Sequence, residues 1–517
     1  MTTDTTTRPI LARLAALETP AVWAVLLAGA VLRVGQYLSG RSLWLDEAML
    51  ALNIQQRSAW VLVSQPLGYA QGAPLGFLAI SKLAVSVFGV NDASLRAVPL
   101  LGGIVSLFLM WRVARRTLTG PGPLLALALF AVSEQVIYYA SEVKQYSTDV
   151  TVALALWLGG LRVVSTGVKP RTAVLLGLLG AVAVWMSHPA AFVLAGVGTA
   201  LGVEVLRRRD RGSLPWLGLT FGMWLLSFAG VYALSLRGLA ANGDLLDYWQ
   251  GNFFPTPVWT GGPWLVKAMA HFLWNPARLP FIGFGALTLL AGCVALAWMN
   301  RPAAIMLLVP FPAVLLASAL HKYPFGDRLV LFLVPAVVLL IAAAAEGARR
   351  LFWERSVLLA TLGFAAVTLP LLLPPAFEAL YKLKHPRTRE EIKPVLAYLH
   401  QHRLPGDDIF VYDGALYAFM YYAPRYGITS DDYRTGICVR RVTDECEAAL
   451  QAERGRRRVW FVFAHDWSDR EPQFQTHLAD LGSKLDEFNA PGASLLLYDL
   501  GGAAPAPPPH PATRNPA

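Results

Sequence analysis

The sequence predicts a polytopic α-helical membrane protein that carries a small α/β domain near its C-terminus. Three observations predict it. Of the 517 residues, 55% are hydrophobic and only 15% are charged, whereas soluble domains carry about a quarter charged residues. Apolar runs of about 20 residues recur, the length that crosses a bilayer as a helix. After residue 376 those runs stop, and short β-rich segments alternate with helical patterns, which reads as α/β.

The elements follow in order. Residues 1–19 are polar, and Arg8 and Arg13 place them on the cytoplasmic side. No cleavable signal sequence is expected. The first span is 20–38. Residues 75–89 are apolar but short and contain Lys82. Ten further spans follow: 95–113, 122–139, 148–164, 172–187, 189–206, 214–235, 279–299, 303–320, 329–346 and 356–374. If 75–89 does not cross, the basic clusters at 112–116, 162–171, 207–211 and 349–355 all fall on the cytoplasmic side. If it crosses, all of them move outside. The positive-inside bias therefore selects about eleven transmembrane helices, with 75–89 lying in the outer interface.

This gives a transmembrane domain over 20–375, with outer loops at 39–94, 140–147, 236–278 and 321–328. Residues 376–500 form an extracytoplasmic α/β domain. Its strands are Asp408–Tyr412, Val459–Phe463 and Ser494–Tyr498, and its helices lie near 389–403, 414–422, 443–454 and 470–483. Residues 501–517, rich in Pro and Ala, are a disordered tail. Cys293 lies in an apolar run. Cys438 and Cys446 form either a disulfide or two free thiols, and their spacing leaves both open. The net charge is +10 and mean hydropathy is +0.46. Because Lys and Arg sit in clusters between apolar runs, they set orientation, and no nucleic-acid partner is expected. There is no phosphate-binding loop, dinucleotide fingerprint or His-Glu-x-x-His pattern.

The polar residues that look out of place converge on the outer side. Asp46 and Glu47 are adjacent carboxylates beside a bilayer, a costly arrangement, although a helix N-terminus would also favour them. Glu142, Lys144, Tyr146 and Asp149 follow the third span, and His188 precedes Pro189. Lys322, Tyr323 and Arg328 lie in the 321–328 loop, and the 236–278 loop is rich in Trp and Phe. Plainer readings exist for each: an interfacial aromatic belt, a capping His, cations that meet lipid phosphates, a surface ion pair between Glu142 and Lys144. Taken together, the cations suit an anionic headgroup such as a phosphodiester. The carboxylates suit activation of a hydroxyl or coordination of a metal.

In this order and on this side, the motifs resemble the GT-C superfamily of membrane glycosyltransferases. Within it they are similar to polyprenyl-phosphate-dependent protein O-mannosyltransferases and lipid A aminoarabinose transferases. Asp46-Glu47-Ala48 resembles the Asp-Glu-Ala signature of the first external loop. Ala73-Pro74-Leu75, Phe88-Gly89 and Leu95-Arg96 resemble the segment before the second span. Glu142-Val-Lys144-Gln-Tyr146 resembles Glu-x-Arg-x-Tyr with Lys for Arg. His188 resembles a His that opens a span, and Tyr323 to Pro335 resembles the Arg-Tyr … Leu-Pro region, with Lys322 for Arg.

The resemblance implies transfer of a sugar from a polyprenyl-phosphate donor to an envelope lipid, polysaccharide or protein acceptor, with inversion, at the outer side of the cytoplasmic membrane and in contact with membrane lipids. Asp46 is then the general base or helps organise a metal, with Glu47 beside it. Lys144, Lys322, Arg328 and Arg96 hold the donor phosphate. Glu142, Tyr146, His188 and Tyr323 position substrate, and Glu142 and His188 alternatively complete a metal site. Gln71 and Gly72 stand where many relatives have a charged or His residue that belongs to a metal site in some of them, so a divalent metal stays open. Two rivals are a lipid-linked-sugar flippase or transporter, which would place polar groups nearer mid-bilayer on broken helices, and a polysaccharide polymerase or ligase.

Overall fold

A computed structural model describes residues 7–436, 444–465 and 471–501, with side-chain surroundings from residue 19 on, 444–447 excepted. The Cys438–Cys446 pairing and the tail after 501 lie outside the described residues. The chain divides into two compact units, Met1–Gly40 with Ile54–Arg387 and Arg41–Asn53 with Thr388–Ala517.

The first unit is helical. Among the described residues, nine helices are long and apolar enough to cross a membrane, from Thr19–Leu38 to Val357–Lys384. They match nine of the eleven expected spans. The other two are shorter. Residues 172–187 form Pro170–Met186, of 17 residues. The expected continuous span 122–139 is corrected: Gly122–Ala131 ends, and Glu134–Tyr139 starts afresh. Arg33 explains how the break is tolerated. It is fully buried, and its guanidinium donates to the carbonyls of Ala131 (3.2 Å) and Phe130 (3.4 Å), which gives the Ala131 carbonyl a partner where the helix ends. The last helix runs on past residue 375 to Lys384, and the first unit closes at Arg387.

The core of this unit is the Asp327–Trp353 stretch, 94% buried over its apolar window. A helix enclosed on every side must be apolar all round, and Val334–Ala345 contains no polar side chain. Neighbours approach it closely. A Cβ on Gly292 would lie 2.1 Å from the Leu340 carbonyl oxygen, so only glycine admits that contact.

The basic turns share one end of the bundle. Asn300 donates to the Arg116 carbonyl (2.9 Å), Thr119 to Glu346 (3.3 Å) and Ser213 to the Val168 carbonyl (3.1 Å). The opposite end carries 134–149, 187–189 and 320–328. The helix Leu75–Phe88 has 14 residues, a rise of about 21 Å, and both its ends lie at that opposite end. Gly76 packs on Trp185 and Met186, which finish one helix there. Past Phe88, the Ser94 hydroxyl donates to the Gly89 carbonyl (2.6 Å) in the first turn of Asp92–Thr117. The segment's two ends therefore lie at the same end of the bundle, the arrangement that a non-crossing segment would have. Lys82 donates to the Ile54 carbonyl (2.7 Å).

The second unit is a five-stranded sheet with helices. We number its strands β1 (Asp408–Tyr412), β2 (Arg434–Gly436), β3 (Val459–Ala464), β4 (Ser483–Ala490) and β5 (Ala493–Asp499). The order is β2-β1-β3-β5-β4. β1 pairs in parallel with β2 and β3, while β5 pairs antiparallel with β3 and β4. The buried runs Ile409–Tyr412, Val459–Ala464 and Ala493–Tyr498 make the three central strands. Phe410, Phe461, Phe463, Phe474 and Tyr498 pack together on one side. β2 and β4 are additions to the sequence expectation. Both are edge strands. β4 is polar and mostly exposed, as an edge must be to resist pairing with another chain.

Candidate functional site

The polar end of the first unit is built from residues far apart in sequence. Glu142 and Lys144 lie in the tight connection before Tyr146–Thr166 and are 0% and 4% exposed, so the surface-ion-pair reading is corrected. Lys144 Nζ donates to Gln71 Oε1, which brings the departure at position 71 into contact with the cation.

Tyr146 opens its helix and meets Arg328. The Arg328 Nε donates to the Tyr146 hydroxyl (3.0 Å), and its guanidinium lies 5.3 Å from the Trp249 ring centre and 5.9 Å from that of Tyr146. Flanking aromatic faces hold a planar cation by cation–π attraction. Tyr323 donates to the Leu329 carbonyl (2.8 Å) and packs edge-on against Phe192. Burial, with Asp149 and Tyr146 nearby, pushes its phenol well above the usual range.

Asp149 is buried beside Ser187, and its Oδ1 has no hydrogen-bond partner among the described residues. The same holds for Nε2 of His188, and burial pushes that imidazole down to about 4, so it is neutral at ordinary pH. The structure thus brings Tyr146, Tyr323 and Arg328 together, with Asp149 beside Tyr323. It places Arg96 in the buried face of Asp92–Thr117 and leaves Lys322 exposed.

Three features of this end went unassigned in the sequence reading. Asp149 is a carboxylate three residues inside an apolar helix, a position that by itself signals function. Arg33, a lone charge inside the first apolar run, carried the same signal. Glu134 binds Lys382, Arg278 (2.8 Å) and Arg387 (3.1 Å). The next residue, Gln135, leads through Asn275 (2.7 Å) to Asp327 (2.7 Å) and His271 (2.8 Å). Only tertiary structure reveals that network.

Asp46 and Glu47 belong to the second unit, within its Arg41–Asn53 segment. They open the helix Leu45–Gln56, where the N-terminal dipole favours negative charge. The chain entering this helix is held by side chains of the α/β domain. Glu391 accepts from the Ser42 amide (3.1 Å) and hydroxyl (3.0 Å), the Tyr422 hydroxyl from the Leu43 amide (2.9 Å), and Glu390 from the Leu45 amide (2.9 Å). Glu47 is fully buried and pairs with Arg41 at 2.5 Å. Asp46 is half-buried. The two neighbours therefore have different surroundings. Among the described residues, no three His, Cys, Asp or Glu side chains converge as metal ligands.

Residues 72–232 match the profile of the family described as Dolichyl-phosphate-mannose-protein mannosyltransferase. No curated protein sequence matches the chain. Among solved structures, ArnT from Cupriavidus metallidurans in the apo state is similar over 94% of this chain and 99% of its own, with 13% identity and a TM-score of 0.54. The same protein bound to undecaprenyl phosphate gives 92%, 98%, 13% and 0.50. The Archaeoglobus fulgidus oligosaccharyltransferase, in complex with Zn and sulfate, gives 92%, 73%, 12% and 0.48. The chain shares the fold of the ArnT structure, and its residues 72–232 match the model of the dolichyl-phosphate-mannose-protein mannosyltransferase family.

Proposed function

We propose that this chain is a glycosyltransferase that moves a sugar from a polyprenyl-phosphate carrier to an envelope lipid, polysaccharide or protein, on the outer side of the cytoplasmic membrane. One observation carries the reading. The segment that matches the family profile contains Lys144 and Tyr146, and the fold brings Arg328, from outside that segment, onto Tyr146. The undecaprenyl phosphate in the similar ArnT structure supports a lipid-phosphate donor.

In this reading the acceptor oxygen attacks the anomeric carbon from the face opposite the phosphate. Its proton passes to the Asp46 carboxylate. The bond from the anomeric carbon to the phosphate oxygen breaks, and polyprenyl phosphate leaves with the electron pair. The configuration inverts. Lys144 and Arg328 hold the departing phosphate by charge-assisted hydrogen bonds, with Lys322 and Arg96 as further cations. Glu142, Tyr146, His188 and Tyr323 shape the pocket. Glu47 acts differently from Asp46: it neutralises the buried Arg41 and so fixes the segment.

The test is transfer of radiolabelled sugar from a polyprenyl monophosphate by purified protein in nanodiscs. With donor saturating, Asp46→Asn should lower turnover by about two to four orders of magnitude, the range for general acid–base catalysis, with the melting temperature unchanged. Glu47→Gln should instead lower stability, because it removes the carboxylate that pairs with the buried Arg41, and should lower turnover less than Asp46→Asn does. Near-normal turnover in Asp46→Asn removes the base assignment. Transfer only from diphosphate-linked oligosaccharides would make the chain a polymerase or ligase.

A further inference from the structure

The second unit contains a cavity of about 360 Å³, within the size range of small-molecule sites, roughly 300–1,000 Å³. Its place in the sheet is informative. From β1 the chain goes to β2 on one side, then crosses to β3 on the other. In open α/β sheets, ligands bind outside the carboxyl ends of the strands at such a divergence. Tyr412 is the last residue of β1 and Ala464 the last of β3, and both line the cavity. The β4–β5 turn closes another side. Gly492 has φ +66°, and a Cβ there would lie 2.0 Å from the Arg389 carbonyl oxygen. Only glycine lets the turn seat against residues 389–391, where the Glu391 amide donates to the Pro491 carbonyl (2.8 Å).

The lining selects a ligand class. Glu390, Glu471, Asn489 and Ser494 supply hydrogen-bonding groups, and Tyr412 and Phe463 supply apolar faces. Two carboxylates face the Arg389 guanidinium and the His465 imidazole, so the lining offers an anion no excess of positive charge, and the polar groups disfavour a purely apolar ligand. A neutral ring with several hydroxyls on its edge and C–H groups on its faces satisfies both kinds of wall: its hydroxyls donate to carboxylates and its faces cover aromatic carbon. Glu390 links this cavity to the acidic segment. One carboxylate oxygen contacts His465 Nδ1 (2.5 Å), and the other accepts the Leu45 amide (2.9 Å), one residue before Asp46. Trp44 also packs against His465, with ring centres 6.1 Å apart.

We propose that this cavity binds a sugar residue of the acceptor, so that the acceptor is a glycan or glycolipid rather than an unglycosylated lipid or peptide. The proposal rests on the transferase reading above. The site would place a glycosylated acceptor against the segment that carries Asp46.

The experiment is saturation-transfer NMR on the full chain in detergent micelles, with a panel of neutral and acidic oligosaccharides. Binding of neutral glycans is expected. Ala490→Trp, which fills one wall, should weaken it by about tenfold or more, and the near-isosteric Glu471→Gln by about three- to tenfold, roughly the difference between a hydrogen bond to a charged group and one to a neutral group. In the transfer assay, both should raise acceptor KM more than they lower kcat. Glu471→Gln keeps the result interpretable if the bulkier variant fails to fold. If no glycan binds the wild-type chain, or if binding is equal in both folded variants, the site is overturned. Failure of the transferase reading is read separately, as absence of transfer from the polyprenyl monophosphate by the wild type while glycan binding persists.

Discussion

The two ends of the helix bundle treat charge in opposite ways. At the basic end, ion pairs are local. Glu204 pairs with Arg207 and Arg208, and Glu346 with Arg349 and Arg350, each at i+3 and i+4 on its own helix. The arginines are partly or mostly exposed. At the polar end, partners come from distant sequence. Arg328 reaches Tyr146 across 182 positions, Lys144 reaches Gln71 across 73, and Lys382 reaches Glu134 across 248. Local pairs need only a helix and cost little to arrange. Distant buried pairs exist only when the whole fold is correct, and removing one partner leaves a costly orphan. The first end's ion pairs depend on one helix each, and the second end's contacts depend on the assembled bundle.

That contrast can be broken by mutation. The largest effect is expected at the polar end. Arg328→Gln and Lys144→Met should each weaken donor binding by about 1.5–3 kcal/mol, the worth of a charge-assisted hydrogen bond, read as a rise in donor KM. Arg328→Lys should recover only part of this, because an ammonium lacks the planar fork and its stacking on Trp249. Unchanged donor KM in all three would make these cations structural.

A smaller effect should appear in pH dependence. His188 is held at about 4 by burial, below its unfolded value of about 6.5. The unfolded chain then binds more protons between those values. Stability is fully present above about pH 6.5 and is lost as pH falls toward 4, by on the order of 2–3 kcal/mol. Melting temperatures of His188→Asn should show a flatter profile across this window. A profile as steep as the wild type's would assign the loss to other groups. The smallest effect on transfer belongs to the basic end. Glu346→Gln removes the charge from a buried carboxylate held by Arg349, Arg350 and Thr119, so it should lower stability by about 1–3 kcal/mol and leave transfer rates within about twofold. A large loss of transfer there would abolish the distinction between the ends.

The membrane part was largely legible because its signals are local. Runs such as 329–346 state their burial in composition. β1, β3 and β5 were legible for the same reason, each being a short buried apolar run. β4 was not, since an edge strand that reads Ser-Lys-Leu-Asp-Glu-Phe has no apolar face to announce it. The break at 132–133 was missed because its compensation lies in Arg33, about a hundred positions earlier. The acidic segment was found as a motif, but its surroundings were invisible. They are set by Glu390, Glu391 and Tyr422, 345 to 379 residues away, and no periodicity carries information over that distance.

The Leu75–Phe88 helix, with both ends on one side of the bundle, has a consequence for how the chain enters a membrane. Its 14 residues fall only a few short of the roughly 17 that suffice to span, and nothing in its interior but Lys82 opposes insertion. A duplication of one apolar turn there, with Lys82 replaced by Leu, would make it a competent span. Every later loop would then be threaded to the opposite face, with the basic turns pulling against the inversion. The side on which the 429 residues after Phe88 emerge would therefore hinge on whether this one helix crosses, and mistargeting rather than misfolding is the expected consequence of lengthening it.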